Sequence, residues 1–356
     1  MTRFSFASAS SKLPSEVLAA IGADVAAWQS SGLSALELPF TGKDFTDILA
    51  QAEHELRALL ELPECYKVLF LQGGASTQFT MLPMNLAEGS HPCDYVLSGH
   101  WSRRAIEAAS RWCNVRVIAS GSMGSLPEPK SWRRSSDAAY CHYTSNETAE
   151  GLQYHQYPDA SNVPLIADMT ADFLTRKIPI ERFGLIYASA QKNLGAAGLT
   201  IVIVREDLLG QARHTTPVPF DYARQAAAGS KVNTPPTFAI LVALRMLTWL
   251  RTQGGLDAAA ARNIARSAKL YAVIDEDDFY RCVADPRDRS SVSICFRLPQ
   301  ASLDLLFLHE AHENGLCHLQ GHPSVGGIRA SLYNGISDEA VTTLADFMSD
   351  FRRRRG

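Results

Sequence analysis

Short apolar segments recur along this chain, and they constrain its fold more than any other feature. Each is six or seven residues long, and helical patterns such as STQFTMLPMNL (76–86) and SRRAIEAASRW (102–112) lie between some of them. Strands that are apolar along their whole length are typical of a parallel sheet with helices on both faces. The sequence therefore predicts an α/β fold. The predicted strands are YKVLFL (66–71), DYVLSG (94–99), NVRVIAS (114–120), AAYCHY (138–143), PLIADM (164–169), FGLIYAS (183–189) and LTIVIV (199–204).

The pattern changes after residue 235, where long helices replace the alternation. One helix is predicted over 236–255 and another over 259–275. Beyond them, two short strand patterns flank the helical segment DLLFLHEAHENG. We predict a large domain of residues 16–255 and a smaller α+β domain of residues 256–356, which packs against an N-terminal arm of residues 1–15.

Composition and charge exclude several classes of protein. The net charge is −3 and the pI is about 6.4, so the chain has no basic field of the kind that nucleic acid requires. No apolar run approaches the roughly 18 residues of a membrane helix. The seven cysteines are scattered, with no C-x-x-C pair, and the first residues form no apolar leader. We expect a cytoplasmic protein with no nucleic-acid or membrane partner.

Several polar residues follow predicted strands, at the edge where α/β sheets bind ligands. Lys192 and Asp168 come at the ends of two neighbouring strands, Trp101 follows a third, and a Gly-Gly-Ala-Ser turn (73–76) opens a helix. A lysine amine can form a Schiff base with an aldehyde, a carboxylate can hold a pyridine nitrogen protonated, and a helix N-terminus can bind phosphate. Together these groups suit pyridoxal 5'-phosphate. Taken singly, each also fits a plain structural role, such as a helix cap, a turn or a surface lysine.

The residues of these segments, and their order along the chain, indicate a family. The chain resembles the phosphoserine aminotransferases, which are fold-type I enzymes dependent on pyridoxal phosphate. That resemblance implies a large domain with a mostly parallel seven-stranded sheet covered by helices, a smaller C-terminal domain, and a homodimer with shared active sites. The matching segments run in family order over nearly the whole chain: YKVLFLQGGASTQF, HYTSNETAEG, IADMTADFLTRKI, FGLIYASAQKNLGAAGLTIVIVREDLLG, NTPPTFAI, DDFYR and SVGGIRASLYN.

The resemblance also implies roles for single residues. Lys192 is similar to the catalytic Schiff-base lysine, and Asp168 to the partner of the pyridine nitrogen. Arg329 resembles the arginine that binds the substrate α-carboxylate, a task suited to a planar guanidinium. The other cofactor-binding positions are stacking Trp101, the ring-hydroxyl contact Thr148, the phosphate-binding Ala75, Ser76 and Gln191, and Asn233 and Thr234, which would reach the phosphate of the other subunit.

Departures from the family pattern cluster at the substrate-binding positions. Near the N-terminus Ser8 is kept, but the Gly-Pro that follows it in the family is absent. Phe40 and Thr41 stand where the family has a His-Arg pair that binds the distal anion of the substrate. His322 is kept, but Pro323 replaces an arginine.

Two arginines and a histidine are thus missing from the distal anion site. Because hydrogen bonds to charged groups contribute about 1.5–3 kcal/mol each, their loss predicts weak binding of a distal dianion. We hypothesise an aminotransferase with a non-phosphorylated or otherwise altered substrate. The alternative is a genuine phosphoserine aminotransferase, which uses 3-phosphohydroxypyruvate and L-glutamate in serine biosynthesis. In that case Arg103, Arg104 or Lys43 would replace the missing contacts.

Two further alternatives involve other chemistry. The same fold and cofactor serve lyases, decarboxylases and desulfurases, and Cys317 is the candidate thiol for a desulfurase. The segment HEAHENGLCHLQGH places five possible metal ligands between His309 and His322. Its first two histidines are three residues apart, unlike the spacing of H-E-x-x-H, and we predict no metal site.

Overall fold

The computed structural model describes residues 2–29, 31–87, 91–159 and 161–356. Strands and α-helices alternate between residues 43 and 120 as the sequence predicts, whereas in the described part of residues 141–205 six strands follow one another with no α-helix between them. The strands are β1 (Phe4–Ser5), β2 (Tyr66–Gln72), β3 (Cys93–Leu97), β4 (Val115–Ser120), β5 (Cys141–Thr144), β6 (Asn146–Glu147), β7 (Leu152–Gln153), β8 (Leu165–Asp168), β9 (Leu185–Ser189), β10 (Leu199–Arg205), β11 (Ser293–Phe296), β12 (Leu316–Cys317) and β13 (Ile328–Ser331). The α-helices are α1 (Ser15–Ala26), α2 (Lys43–Leu60), α3 (Ala75–Leu86), α4 (His100–Ala109), α5 (Tyr222–Ala227), α6 (Thr237–Thr252), α7 (Gly255–Ile274), α8 (Ala301–Glu313) and α9 (Asp338–Arg355).

Within these ranges, seven strands form the main sheet in the order β2-β10-β9-β8-β5-β3-β4. Strands β9, β8, β5, β3 and β4 run parallel to one another, whereas β10 is antiparallel to both of its neighbours. The prediction of a mostly parallel seven-stranded sheet is therefore confirmed. The antiparallel strand β10 was not predicted, because a fully buried strand has the same apolar pattern in either direction.

Helices cover both faces of this sheet. Alternate residues of β10 belong to different apolar clusters, because side chains alternate between the two faces of a strand. Ile201 and Ile203 join a cluster that includes residues of α2 and α6. Val202 and Val204 join a second cluster with residues of α3, α4 and α5. Burial on both faces explains why the central strands carry no polar alternation.

A third apolar cluster links the two ends of the chain. Phe4 and Phe6 are buried with residues of α7, α8 and α9. Strand β1 pairs in parallel with β12, and β11 pairs with β13 in antiparallel fashion. The N-terminal segment thus packs against residues 270–351, while the limits of the two domains stay a prediction. Among the described helices, none combines the length and the apolar content that crossing a membrane requires.

Phe307 lies at the centre of this third cluster and tests its contribution to stability. It is fully buried and its ring contacts four other aromatic rings. We expect Phe307→Ala to lower the free energy of unfolding by about 3–5 kcal/mol, because the large cavity that it leaves can collapse only in part. Urea unfolding followed by circular dichroism measures this change. As the matched control, Leu305→Ala on the same helix removes a side chain that is 71% exposed, and its effect should stay within about 0.5 kcal/mol.

Candidate active site

Lys192 lies in the turn that joins β9 to the antiparallel β10, at the carboxyl edge of the main sheet. The small residues of this turn are explained by close packing. Gly195 has a φ of +124°, and a Cβ atom there would lie 2.3 Å from Cγ1 of Val242 on α6. The Ser11 hydroxyl of the N-terminal segment donates to the Lys192 carbonyl. The backbone around the lysine is therefore held from two sides.

The Lys192 amine is buried among groups from other parts of the sheet edge. Its Nζ atom lies 3.5 Å from the Thr148 hydroxyl and 5.7 Å from the centroid of the Trp101 ring. The Trp101 indole N–H donates to the same hydroxyl at 2.8 Å. Burial lowers the pKa of Lys192 to about 8, and the positive charge of Arg329 acts in the same direction. A lysine of this kind carries a neutral, nucleophilic amine at a lower pH than an exposed lysine does.

Asp168 ends β8, next to the strand that leads to Lys192. Its side chain is buried, and the Thr170 amide donates to Oδ1 at 2.9 Å. Burial raises the pKa of Asp168 to about 6, although the hydrogen bonds from Thr170 and the charge of Lys192 oppose this rise. The structure thus brings together the two charged residues that the sequence analysis singled out.

Arg329 brings the C-terminal part of the chain to the same edge. It lies on β13 and is 7% exposed. Its guanidinium donates to the Thr148 carbonyl at 3.0 Å and to the Ser8 hydroxyl at 2.6 Å. In the described ranges, these neutral oxygens are its hydrogen-bond partners. A buried guanidinium without a carboxylate partner is costly unless an anionic ligand binds to it.

The residues predicted to bind phosphate surround the end of β2. Gly74 precedes Ala75 and Ser76, the first residues of α3, and a Cβ atom at Gly74 would lie 3.5 Å from the Ser189 hydroxyl. That hydroxyl donates to the side-chain oxygen of Gln191. The free N–H groups at the start of α3 and these side chains therefore share one corner of the sheet edge, which suits an anion.

Asn233 and Thr234 lie at the same corner but are exposed. The Gln72 side chain, which ends β2, donates to the Thr234 carbonyl, and the Asn233 amide donates to Gln72 Oε1 at 3.4 Å. The structure therefore places both residues beside the phosphate-binding turn of their own chain. Which subunit's cofactor they would contact remains a prediction.

The buried Glu147 and the half-buried Glu150 support Trp101, and the sequence analysis assigned a role to neither of them. Glu147 accepts hydrogen bonds from the Trp101 and Ser102 amides at 2.8 and 2.9 Å, and Glu150 accepts one from the His100 amide at 2.8 Å. The two carboxylates thus cap the start of α4. Burial raises the pKa of Glu147, and burial together with the charge of Glu147 raises that of Glu150 to about 7. Their position after strand β5 could have indicated a cap, but their partner helix lies 45 or more residues away in the sequence.

The predicted substrate-binding residues divide into two groups. Ser8 and His322 join the site, since the His322 ring centroid lies 6.0 Å from that of Trp101. Phe40 packs against the core that contains α2 and α6, and Thr41 is exposed. Neither of these two hydrogen bonds to the residues around Lys192 in the part of the chain that is described.

The residues of the alternative hypotheses are also placed. Arg103 and Arg104 are exposed on α4, and the side chain of Lys43 is 86% exposed beside Asp47. Cys317 is buried on β12, so it does not lie on a mobile loop as a desulfurase thiol would. Across the four described ranges, no three histidine, cysteine or acidic side chains are gathered closely enough to hold a metal ion.

Known proteins resemble this chain in both sequence and structure. Residues 3–344 match the family model described as aminotransferase class-V. The chain is 46% identical to the phosphoserine aminotransferase of Laribacter hongkongensis, over 100% of both proteins. It is 45% identical to the phosphoserine aminotransferase of Chromobacterium violaceum, over 99% of both proteins. Its structure is similar to that of the phosphoserine aminotransferase from Bacillus circulans subsp. alkalophilus, with a TM-score of 0.97 and 39% identity over 99% of this chain and 98% of the other. The pyridoxal-phosphate-bound phosphoserine aminotransferase of Trichomonas vaginalis gives a TM-score of 0.92 and 35% identity over 96% of this chain and 98% of the other.

The lowered pKa of Lys192 predicts how cofactor uptake depends on pH. The neutral amine attacks an aldehyde, so the rate at which cofactor-free protein takes up pyridoxal phosphate should rise with pH, with a midpoint near the Lys192 pKa of about 8. Absorbance of the bound cofactor, followed from pH ~6.5 to ~9.5, measures this rate. Lys192→Ala serves as the control and should show no such uptake. A midpoint near the ordinary lysine value of about 10.4 would contradict the prediction.

Proposed function

The chain belongs to the class-V aminotransferase family, and from this premise we propose that it transfers the amino group of O-phospho-L-serine to a 2-oxo acid. The reaction would interconvert phosphoserine and 3-phosphohydroxypyruvate, with L-glutamate as the second amino acid. One observation carries this choice of substrate: relatives named phosphoserine aminotransferase are 46% identical to this chain over the full length of both proteins. The pyridoxal-phosphate-dependent transaminase activity itself follows from the family.

The hypothesis of an altered substrate is not supported by these comparisons, which favour the alternative reading of phosphoserine transamination. That hypothesis depended on Phe40, Thr41 and Pro323, which stand where the family carries cationic side chains. Loss of particular cations does not by itself exclude an anionic substrate, because binding depends on the summed contacts of the pocket and not on any one residue type.

The residues at the sheet edge fit the cofactor. A buried amine, a buried carboxylate and a helix N-terminus match the aldehyde, the pyridine nitrogen and the phosphate of pyridoxal phosphate in chemical type. We propose that Lys192 binds the cofactor covalently, that Asp168 contacts its nitrogen, and that Ala75, Ser76 and Gln191 hold its phosphate.

When bound, pyridoxal phosphate supplies an electron sink for the negative charge that develops at the substrate Cα. The residues of this chain supply the other steps. Lys192 would act as the general base, taking the Cα proton on Nζ and later returning it. Its low pKa favours this role, because a neutral amine is available close to neutral pH. Trp101 would hold the cofactor ring, and its own orientation is set by the hydrogen bond that its indole donates to Thr148.

Arg329 would hold the substrate α-carboxylate. Its guanidinium is already oriented by the Ser8 hydroxyl and the Thr148 carbonyl, so little side-chain entropy is lost on binding. Because the Thr148 hydroxyl also contacts Lys192, one residue sets the position of the carboxylate site relative to the amine. This coupling would keep the proposed carboxylate site at a constant distance from the proposed base.

We also propose that the chain forms a homodimer with shared active sites. Asn233 and Thr234 are exposed beside the phosphate-binding turn, and Phe238 at the start of α6 is 39% exposed. An exposed apolar side chain next to polar groups at a site edge suits a second copy of the chain. Sedimentation velocity would test this assembly.

The proposed substrate is tested by absorbance of the purified holoenzyme. Titration with O-phospho-L-serine should replace the absorbance band near ~420 nm by one near ~330 nm. L-serine, which lacks only the phosphate, should require at least about 100-fold higher concentrations, because it forgoes charge-assisted hydrogen bonds of about 1.5–3 kcal/mol each. Equal responses to the two amino acids would refute phosphoserine as the substrate, while the transaminase activity would stand.

Arg329→Gln tests the carboxylate contact. The neutral amide cannot form the bidentate, charge-assisted pair, so kcat/KM for phosphoserine should fall by about 100-fold or more. Cofactor absorbance should remain, since Lys192 is intact. The matched control is Arg297→Gln. Arg297 is exposed, directly follows β11 and donates a hydrogen bond to the Val325 carbonyl. The kcat/KM of this variant should change little. Retained activity in Arg329→Gln would show that another residue binds the carboxylate.

A further inference from the structure

We infer that Tyr187 is a positioning residue for the carboxylate that meets the cofactor. Held by His142, its hydroxyl donates a hydrogen bond to Asp168 and keeps that side chain ionised. This inference rests on the proposed function, because it assumes that Asp168 contacts the pyridine nitrogen. Asp168 ends β8, Tyr187 lies directly opposite it on β9, and His142 lies on β5, which borders β8 on its other side.

The three side chains lie on one face of the main sheet. Paired residues of neighbouring strands project to the same face, and so do residues two positions apart on one strand. Thr144 pairs with Asp168, and His142 lies two positions before Thr144. Tyr187 pairs with Asp168 from the other side. The His142 Nε2 atom lies 2.9 Å from the Tyr187 hydroxyl, with an angle of 25° between the two rings.

Other side chains enclose the histidine and the tyrosine. Both residues are 0% exposed. Tyr95 of β3 stacks on the His142 ring at a centroid distance of 4.9 Å, and Phe79 of α3 lies edge-on to Tyr187 at 6.3 Å. The Tyr95 hydroxyl is 2.7 Å from that of Tyr140. The polar atoms of His142 and Tyr187 must therefore find partners within the protein or remain unpaired.

The nitrogen that carries the imidazole proton decides what the tyrosine can do. Burial lowers the pKa of His142 to about 3, so the ring is neutral and holds one proton. Among the described residues, Nδ1 of His142 has no hydrogen-bond partner. A buried N–H group without an acceptor is rare, whereas an unpaired acceptor is tolerated more often. The proton therefore lies on Nε2, which donates it to the Tyr187 oxygen.

This direction leaves the Tyr187 hydroxyl free to donate its own proton. Burial raises the pKa of Tyr187 well above its ordinary value, and the charge of Asp168 acts in the same direction, so the phenol stays protonated. A hydrogen bond to the charged form of a carboxylate favours ionisation. Burial raises the pKa of Asp168 to about 6, and a donor opposes that rise. A protonated Asp168 could not hold a pyridine nitrogen protonated.

The other groups that act on the ionisation of Asp168 come from several elements. The hydrogen bonds from Thr170 lower the pKa of Asp168, as does the charge of Lys192 in the turn after β9, whereas Glu147 of β6 raises it. All of these side chains remain in a Tyr187→Phe variant, which removes the phenolic hydroxyl and keeps the ring. This substitution therefore isolates the proposed hydrogen bond.

The affinity of the cofactor-free protein for pyridoxal phosphate, measured at two pH values, tests the inference. Quenching of tryptophan fluorescence gives the dissociation constant. Without the donor the pKa of Asp168 rises, so more of the variant than of the unaltered protein is protonated at the lower pH. We expect Tyr187→Phe to bind about 5-fold more weakly at pH ~6 and equally well at pH ~8.5, where Asp168 is ionised in both proteins. The cofactor's own protonation cancels in the ratio of the two dissociation constants.

The matched control is Tyr66→Phe, which removes another buried hydroxyl from the same sheet. That hydroxyl donates to the carbonyls of Ile180 and Phe183, so its loss should leave the affinity ratio near 1 at both pH values. An equal loss of affinity at both pH values in Tyr187→Phe would mean that the hydroxyl contributes only to packing. That result, or an unchanged affinity at both values, would overturn the inference.

Asp168→Asn separates this inference from the proposed function. If Asp168→Asn binds pyridoxal phosphate as tightly as the unaltered protein does at pH ~8.5, the proposed role of Asp168 fails, and the inference fails with it. If Asp168→Asn binds weakly but Tyr187→Phe matches the unaltered protein at both pH values, the inference alone is wrong. The choice of phosphoserine as the substrate is affected by neither result.

NMR of isotope-labelled histidine nitrogens tests the direction of the hydrogen bonds in the unaltered, cofactor-free protein. His142→Gln identifies the signals of His142 by their loss. We expect a neutral ring with its proton on Nε2 from pH ~6 to ~8.5. A proton on Nδ1, or a ring that titrates in this range, would overturn the inference even if Tyr187→Phe did not fold.

Discussion

Thr148 makes the contacts on which the active site depends. Its hydroxyl accepts a hydrogen bond from Trp101 and lies within reach of Lys192, and its carbonyl accepts one from Arg329. The tryptophan lies on α4, the lysine in the turn between β9 and β10, and the arginine on β13, which are distant in the sequence. Because one small residue contacts all three, its two oxygen atoms relate their positions, through hydrogen bonds of 2.8 and 3.0 Å to the tryptophan and the arginine and a contact of 3.5 Å to the lysine. Burial lowers the pKa of the lysine amine and Arg329 acts in the same direction, while the carboxylates of Asp168 and Glu147 oppose them.

The sequence was sufficient to predict the parts of this site that strands position. Lys192 and Asp168 could be located because buried strands have a clear apolar pattern and ligand-binding residues follow their carboxyl ends. The antiparallel direction of β10 could not be predicted from that pattern. Glu147, Glu150 and the contact between His100 and Ser324 also escaped prediction. Their roles depend on which helix N-terminus or turn packs against them, and this is decided by tertiary contacts across 45 or more positions.

Substrate recognition was the least predictable property of all. Phe40 and Thr41 differ from the family pattern, yet in this chain they lie outside the hydrogen-bonded group around Lys192 that the structure describes. Absence of an expected cation is therefore a weak argument about the charge of a substrate. Anion binding sums hydrogen bonds, helix dipoles and nearby charges, and these terms can come from several elements. A motif records only which residue usually supplies one of them.

The position of the N-terminal segment has a consequence for how the enzyme is made. Ser8, which orients Arg329, lies next to a strand that pairs with residues 316–317 and packs against α9. During synthesis, residues 4–8 can therefore reach their final place only after residues 316–351 have been made. The strands of the large sheet are complete by residue 205, and α6, which covers one of its faces, is complete by residue 252, well before Arg329 is made. A nascent chain thus contains the residues proposed to hold the cofactor before it contains the arginine proposed to bind the substrate.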